Sequence, residues 1–176
     1  MNRSFLKARR ALIAAAAIAA IGSMSAQAAN ITWVGSSGSF WDLAANWNPA
    51  LPGAPDDALL GAFDTTFRSG VVTIRSFTGT GIFSVTGGTL TFTNASSIGG
   101  LAMTGGTLGG AGAVTISGLA SWTTGEMTGA GITNANGGMA LGDGNKLLTG
   151  GRVLNTAGTT TWSGATGDFS NRILVG

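Results

Sequence analysis

The chain has 176 residues and a mass of 17.4 kDa, with 31 glycines and only 9% charged side chains. That length allows one domain, with or without a leader. Cysteine, histidine and tyrosine are absent, which excludes a disulfide scaffold, thiol chemistry, a histidine-based triad and a Cys/His metal site. The formal charge is +2, but Arg3, Lys7, Arg9 and Arg10 supply four of the nine basic residues. Without them five bases face seven acids, a net charge of −2, and no Lys/Arg cluster remains for nucleic acid.

The N-terminus has the pattern of a leader. Met1–Arg10 carries cations and no acid, Ala11–Ile21 is an unbroken apolar run, and Ala26-Gln27-Ala28 puts small residues at the positions a signal peptidase reads. The run is too short for the roughly 20 residues of a membrane span. Residues 1–28 are therefore expected to form a removable signal-peptide helix, cut after Ala28 or Ala29. The mature protein is expected to be exported across the inner membrane by the general secretory route, with no membrane span after processing.

Residues 29–68 hold Trp33, Trp41, Trp47, the three prolines (Pro49, Pro52, Pro55) and four acids. This segment reads as an N-terminal cap, with Asp42 capping a short helical turn toward Trp47. The alternative use of the three tryptophans is a sugar-stacking cluster.

Residues 69–176 lack proline and are built from Gly, Thr, Ser, Ala, Asn and aliphatic residues. Gly and β-branched residues disfavour helix by up to about 1 kcal/mol each. Strands are predicted at Val71–Ile74, Ile82–Val85, Thr89–Thr93, Ala113–Ser117, Thr159–Trp162 and Arg172–Val175, separated by Gly or Asn clusters. The runs repeat. Thr86-Gly87-Gly88-Thr89-Leu90 returns as Thr104-Gly105-Gly106-Thr107-Leu108, Gly110-Ala111-Gly112 returns as Gly129-Ala130-Gly131, and Ser121-Trp122 is echoed by Thr161-Trp162 about two units later. A period near 20 residues in a β-rich chain indicates a solenoid. The fold class predicted is an all-β, short right-handed parallel β-solenoid (β-helix) of about five coils at that period. Leu90, Phe92, Val114 and Ile116 should face inward, and Thr115 outward. A β-sandwich or irregular sheet, and a disordered linker, are the alternatives.

Ile31-Thr32-Trp33-Val34-Gly35, Phe40-Trp41-Asp42, Asn46-Trp47 and Pro52-Gly53 with Pro55-Asp56-Asp57-Ala58, followed by the Thr-Gly-Gly-Thr-Leu and Gly-Ala-Gly phrases, resemble the start of bacterial exported surface β-helix proteins, such as the N-terminal part of autotransporter passenger domains. The resemblance implies a cell-surface, outer-membrane-associated or extracellular location and an adhesin-like role. Such proteins are usually longer and carry a C-terminal translocator barrel or sorting tail. Here the coils read as cut short, and the edge at Ile173, Leu174 and Val175 is expected to self-associate.

Candidate chemistry is sparse. Asp56 and Asp57 are adjacent, so on a strand they point to opposite faces; a solvated loop or a turn bond is expected. Glu126 and Asp168 are the acids near the two later tryptophans. They lie about two coils, roughly 10 Å, apart along a solenoid, at the outer limit for a glycosidase pair. Gly142-Asp143-Gly144-Asn145-Lys146 precedes Leu147, not Ser/Thr, and no helix pattern follows, so it reads as a turn and not a phosphate loop. Gly110-Ala111-Gly112 has Thr115 where a dinucleotide fingerprint needs its third glycine. No catalytic, cofactor-binding or metal-binding residue is assigned, no cofactor is expected, and the protein is expected not to be an enzyme. Two functional classes stay open. One is a structural or adhesin-like surface solenoid whose partners are extracellular carbohydrate or a surface protein. The other is a carbohydrate-binding module or polysaccharide-degrading enzyme on the same scaffold. Outward projection of Trp122 and Trp162 beside an acid would favour the second.

Overall fold

The computed structural model describes residues 27–163 and 172–176. Almost all of the expected signal peptide, and Asp168, lie outside the described residues. Within them the chain is β throughout, apart from one 3-10 turn at Ala44–Asn46. No described helix is long and apolar enough to cross a membrane.

The chain winds as a stack of coils. The first wrap holds β1 (Asn30–Trp33), β2 (Ser39–Phe40) and β3 (Trp47–Asn48). Then come β4 (Asp57–Gly61), β5 (Thr65–Phe67) and β6 (Val71–Ile74), followed by β7 (Ser76–Gly79), β8 (Ile82–Val85) and β9 (Thr89–Phe92). The next two coils are β10 (Ser96–Ile98) with β11 (Gly100–Gly109), and β12 (Val114–Ile116) with β13 (Ala120–Met127). The last two are β14 (Ile132–Ala135), β15 (Met139–Leu141) and β16 (Lys146–Leu148), then β17 (Val153–Thr156), β18 (Thr160–Trp162) and β19 (Ile173–Val175). All pairings but one are parallel, and each strand pairs with its counterpart one coil on. The result is a parallel β-solenoid of about six turns with three faces. The first face runs β1-β4-β7-β10-β12-β14-β17. The second runs from β2 through β5 and β8 to β18, and the third from β6 and β9 to β19; the long strands β11 and β13 bend across both.

The predicted alternation holds. Leu90, Phe92, Val114 and Ile116 are buried and Thr115 is not. Val85, Met103, Trp122, Leu141 and Trp162 stack in one column inside the second face. Outside the first face Thr78, Ser97, Thr115, Asn134 and Asn155 form a polar ladder, with Asn155 Nδ2 donating to Asn134 Oδ1 at 3.0 Å. Stacking is what makes such short strands stable, because one coil alone cannot cover its inner face. The Thr-Gly-Gly-Thr-Leu repeat is the corner between the second and third faces. Gly88 and Gly106 have φ of 73° and 66°, and a Cβ on Gly106 would stand 2.8 Å from the Gly87 carbonyl carbon below it. Only glycine fits both the torsion and the spacing.

The coil register begins before Ser69, since β4 and β5 already run parallel to β7 and β8. What distinguishes the first wrap is β3, which folds back antiparallel on β1, placing Trp47 opposite Trp33 and covering the outer edge of that strand. Trp41 meets Trp47 edge-on at 4.6 Å and stacks over Phe77 at 6.1 Å, while Trp47 Nε1 donates to the Trp41 carbonyl at 2.8 Å. Asp42 does not cap the turn. The residue in that position is Leu43, which offers no capping group, and the Asp42 carboxylate turns instead to Arg68, 3.0 Å away.

Candidate functional site

The carboxylates are drawn into the scaffold at separate points. Arg68 bridges Asp42 and lies 3.6 Å over the Phe40 ring. The hydrogen bond from Arg68 holds the Asp42 carboxyl below its ordinary range, against a smaller opposing effect of burial. Asp57 accepts from Arg75 and from the Ser76 hydroxyl, and the Arg75 hydrogen bond is again the main cause of its lowered pKa. Asp56 faces the other way and accepts the Gly53 N–H at 2.8 Å. The two adjacent aspartates thus divide between a turn and an ion pair and do not share a site. Asp64 accepts the Ile82 N–H at 2.7 Å. Glu126 accepts the Thr149 hydroxyl, which also lies 2.7 Å from the Thr128 hydroxyl. Among the described residues no group of three or more Asp or Glu could hold a metal ion.

The tryptophans separate by coil. Trp33, Trp41 and Trp47 are buried, so their faces pack on one another and leave nothing for a sugar to stack on. Trp122 is also buried, between Met103 and Leu141. Trp162, two rungs along the same inner column, is 52% exposed. The Lys146 ammonium lies 5.9 Å from its ring.

The 142–146 segment is a turn between β15 and β16 with a polarity opposite to that of a phosphate cradle. Carbonyl oxygens of Gly142 and Gly144 converge on Lys146 Nζ, the latter at 2.8 Å. Lys146 stands directly after Gly125 in its corner column. Its side chain turns inward, and burial lowers its pKa against the opposing pull of Asp143. Arg152 does the same one corner on. It is buried, its Nε donates to Thr133 Oγ1 at 2.9 Å, and Nη1 reaches the carbonyls of Gly110 and Thr128 at 3.2 Å. Desolvation lowers its pKa. Neither interior cation was identifiable from the sequence. Each is held by backbone carbonyls, of its own turn for Lys146 and of neighbouring coils for Arg152, and the contacts of Arg152 exist only once the coils are in register.

A depression lies on the outer surface of the described residues. It holds about 350 Å³ and is lined by Ile82, Gly99, Gly100, Ala102 and Leu119, with Thr80 and Ser121 at its margin. Gly100 pairs with Ile82, and the atoms nearest to a Cβ built on it are Ile82 Cγ1 at 3.4 Å and the Leu119 carbonyl oxygen at 3.5 Å. The depression lies between the exposed side chains of Ile82 and Leu119, where Gly100 carries none. It offers no charged group.

The fold places the protein among the parallel β-solenoids. Comparison of the chain with known protein families, curated proteins and solved structures finds no match.

Proposed function

We propose that this chain is an exported, non-catalytic structural solenoid of the cell surface or extracellular space, adhesin-like and similar in organisation to the start of an autotransporter passenger. The observation that carries the reading is the dispersal of five acids among the described residues. Asp42, Asp56, Asp57, Asp64 and Glu126 each serve a different turn, ion pair or hydroxyl, whereas hydrolysis of a glycosidic bond needs two carboxyl groups converging across one bond. What the molecule offers outward is a neutral polar ladder on regularly spaced rungs, suited to contact over an extended surface. The signal pattern in residues 1–28 and the resemblance at Ile31–Ala58 support export.

The test is fractionation of the producing cell with N-terminal sequencing. The exported product should begin at Ala29 or Asn30, and purified protein should release no reducing sugar from a panel of polysaccharides. Retention of Met1–Arg10 on exported material, or saccharide release abolished by Glu126→Gln, would overturn the reading. A carbohydrate-binding role is the second reading, and the exposed ring of Trp162 favours it, since an exposed aromatic face can stack on a sugar ring. Quenching of tryptophan fluorescence by an oligosaccharide, lost in Trp162→Ala, would establish that role.

A further inference from the structure

The start of β1 is tied to the turn ahead of β4 by two contacts that converge on Ala29. The Ala29 carbonyl accepts the Asp57 N–H at 2.8 Å, and the Ala29 nitrogen lies 3.4 Å from Asp56 Oδ1. The parallel pairing of Asn30 with Asp57 sets both. The other Asp56 oxygen, Oδ2, takes the Gly53 N–H at 2.8 Å, so its own turn aims the carboxylate at Ala29. Among the described residues Asp57 has a cation in Arg75, and Asp56 has none.

At 3.4 Å a neutral amide is at the outer limit of a hydrogen bond to a carboxylate. The position suits a different nitrogen. Hydrolysis of the Ala28–Ala29 peptide adds one water. The hydroxyl goes to the Ala28 carbonyl carbon, which leaves with residues 1–28 as a carboxylate, and the hydrogen goes to the Ala29 nitrogen. At neutral pH that amine takes up the proton the new acid releases. The resulting ammonium carries a charge and three donors where the amide has one, and it closes on a carboxylate at about 2.7–2.9 Å. The two candidate cuts differ at this point. A cut after Ala28 follows small residues at both positions the peptidase reads, Ala26 and Ala28, and leaves the new terminus facing Asp56. A cut after Ala29 puts Gln27 at the outer of those positions, removes the nitrogen that faces Asp56, and strips the Asp57 N–H of its acceptor.

We infer that Asp56 is the receptor for the α-ammonium released by cleavage between Ala28 and Ala29, and that this ion pair fastens the first strand of the exported solenoid to its second coil. This assignment rests on the export reading, which supplies the peptidase, and adds to it one bond and one carboxylate. The strands packed against β1 are β3 and β4. β3 has no charged residue. On the β4 side the charged groups are Asp56, Asp57 and, one coil further, Arg75, whose guanidinium is already taken by Asp57. Asp56 is thus the carboxylate left for the terminus.

The test uses the protein that the producing cell releases. N-terminal sequencing should give Ala29. The amines of the processed chain are then its terminus and Lys146, so acylation of the terminus by acetic anhydride can be followed across pH by mass spectrometry. Only the unprotonated amine reacts, and a neighbouring carboxylate favours the protonated one. At neutral pH the wild-type terminus should acylate at least about threefold more slowly than that of Asp56→Asn, a rise of about half a pKa unit or more. Asparagine keeps an oxygen for the Gly53 N–H. Asp42→Asn makes the same change of net charge in the Arg68 pair and should leave the rate at the wild-type value. Should Asp56→Asn fail to fold, the wild type carries the test alone. A folded pKa above the unfolded value of about 7.7 gives stability that is present below that pH and is lost as pH rises through the folded pKa. The melting temperature should show that fall, and protein acetylated at its terminus should not. A terminus at Asn30, equal rates in wild type and Asp56→Asn, the same acceleration in Asp42→Asn, or a fall in melting temperature that survives acetylation would overturn the inference and leave export standing. Exported protein that keeps residues 1–28 would overturn both.

Discussion

The two ends of the stack fill the same cross-section by different means. Near the N-terminus the interior is aromatic: Trp41 touches Trp47, Phe67, Phe77 and Phe83, all with centroids within 6.1 Å. The charges there stay outside, in the Asp42–Arg68 and Asp57–Arg75 pairs. Toward the C-terminus, no aromatic ring after Trp122 is buried among the described residues, and the corners hold Lys146 and Arg152 with their heads on backbone carbonyls. A large ring buries much apolar area per residue. A buried cation must recover its lost hydration from whatever acceptors are near. The stability of this solenoid should therefore be unevenly distributed, greatest where the rings interlock.

That contrast can be tested by substitution. Trp41→Ala should cause the largest loss, about 3–5 kcal/mol in denaturant titration, because four aromatic neighbours lose a shared contact. Trp162→Ala, at a half-exposed ring, should cost under about 1 kcal/mol. Equal losses would show that the two ends are equally well packed. In the middle of the stack Ile116→Ala should cost about 2–5 kcal/mol and Thr115→Ala within about 0.5 kcal/mol of nothing. Similar midpoints for those two variants would undo the assignment of faces.

Arg152→Met addresses the C-terminal interior itself. The Gly110 carbonyl that Arg152 meets also accepts the Gly131 N–H at 3.0 Å, so the substitution leaves that acceptor partnered and removes a desolvated charge. Its expected effect is within about 1 kcal/mol of zero, with a rise in stability allowed by the same physics. A loss as large as that of Ile116→Ala would mean that the guanidinium holds coils 110–133 together and does more than fill space.

The smallest effects belong to the surface pairs, and their pH dependence has a defined sign. Asp42 and Asp57 have lowered pKa values in the folded chain, through Arg68 and Arg75 respectively. Their contribution is thus present above the unfolded value of about 3.9 and is lost as pH falls through the folded values. Thermal melts of wild type and Asp57→Asn should differ at neutral pH and converge in acid. Asp42→Asn, in the more exposed pair, should differ from wild type by less than about 1 kcal/mol, and less still in high salt.

Much of the architecture was legible in the sequence because it is written in local rules. Alternating Leu/Phe and Val/Ile against Thr marks inward and outward positions, and the doubled Thr-Gly-Gly-Thr-Leu marks one corner. All six predicted strands are present, to within a residue at their ends. Ser76–Gly79, Ser96–Ile98 and Ile132–Ala135 are among the strands that the sequence pattern does not mark, as are the two longest, Gly100–Gly109 and Ala120–Met127. Ser, Asn and Gly interrupt their apolar pattern, and their pairing depends on the coils above and below. The reach of Asp42 to Arg68, the separation of Asp56 from Asp57, the inward turn of Lys146 and Arg152, and the opposite fates of Trp122 and Trp162 were decided by tertiary structure alone. So was the depression at Gly100, which exists only because Ile82 and Leu119 are brought to the rungs on either side of it. A sequence specifies the period and the facing of its own residues. Which glycine lies beside which side chain depends on register across coils, where neighbours in space are 18 to 27 positions apart in the chain.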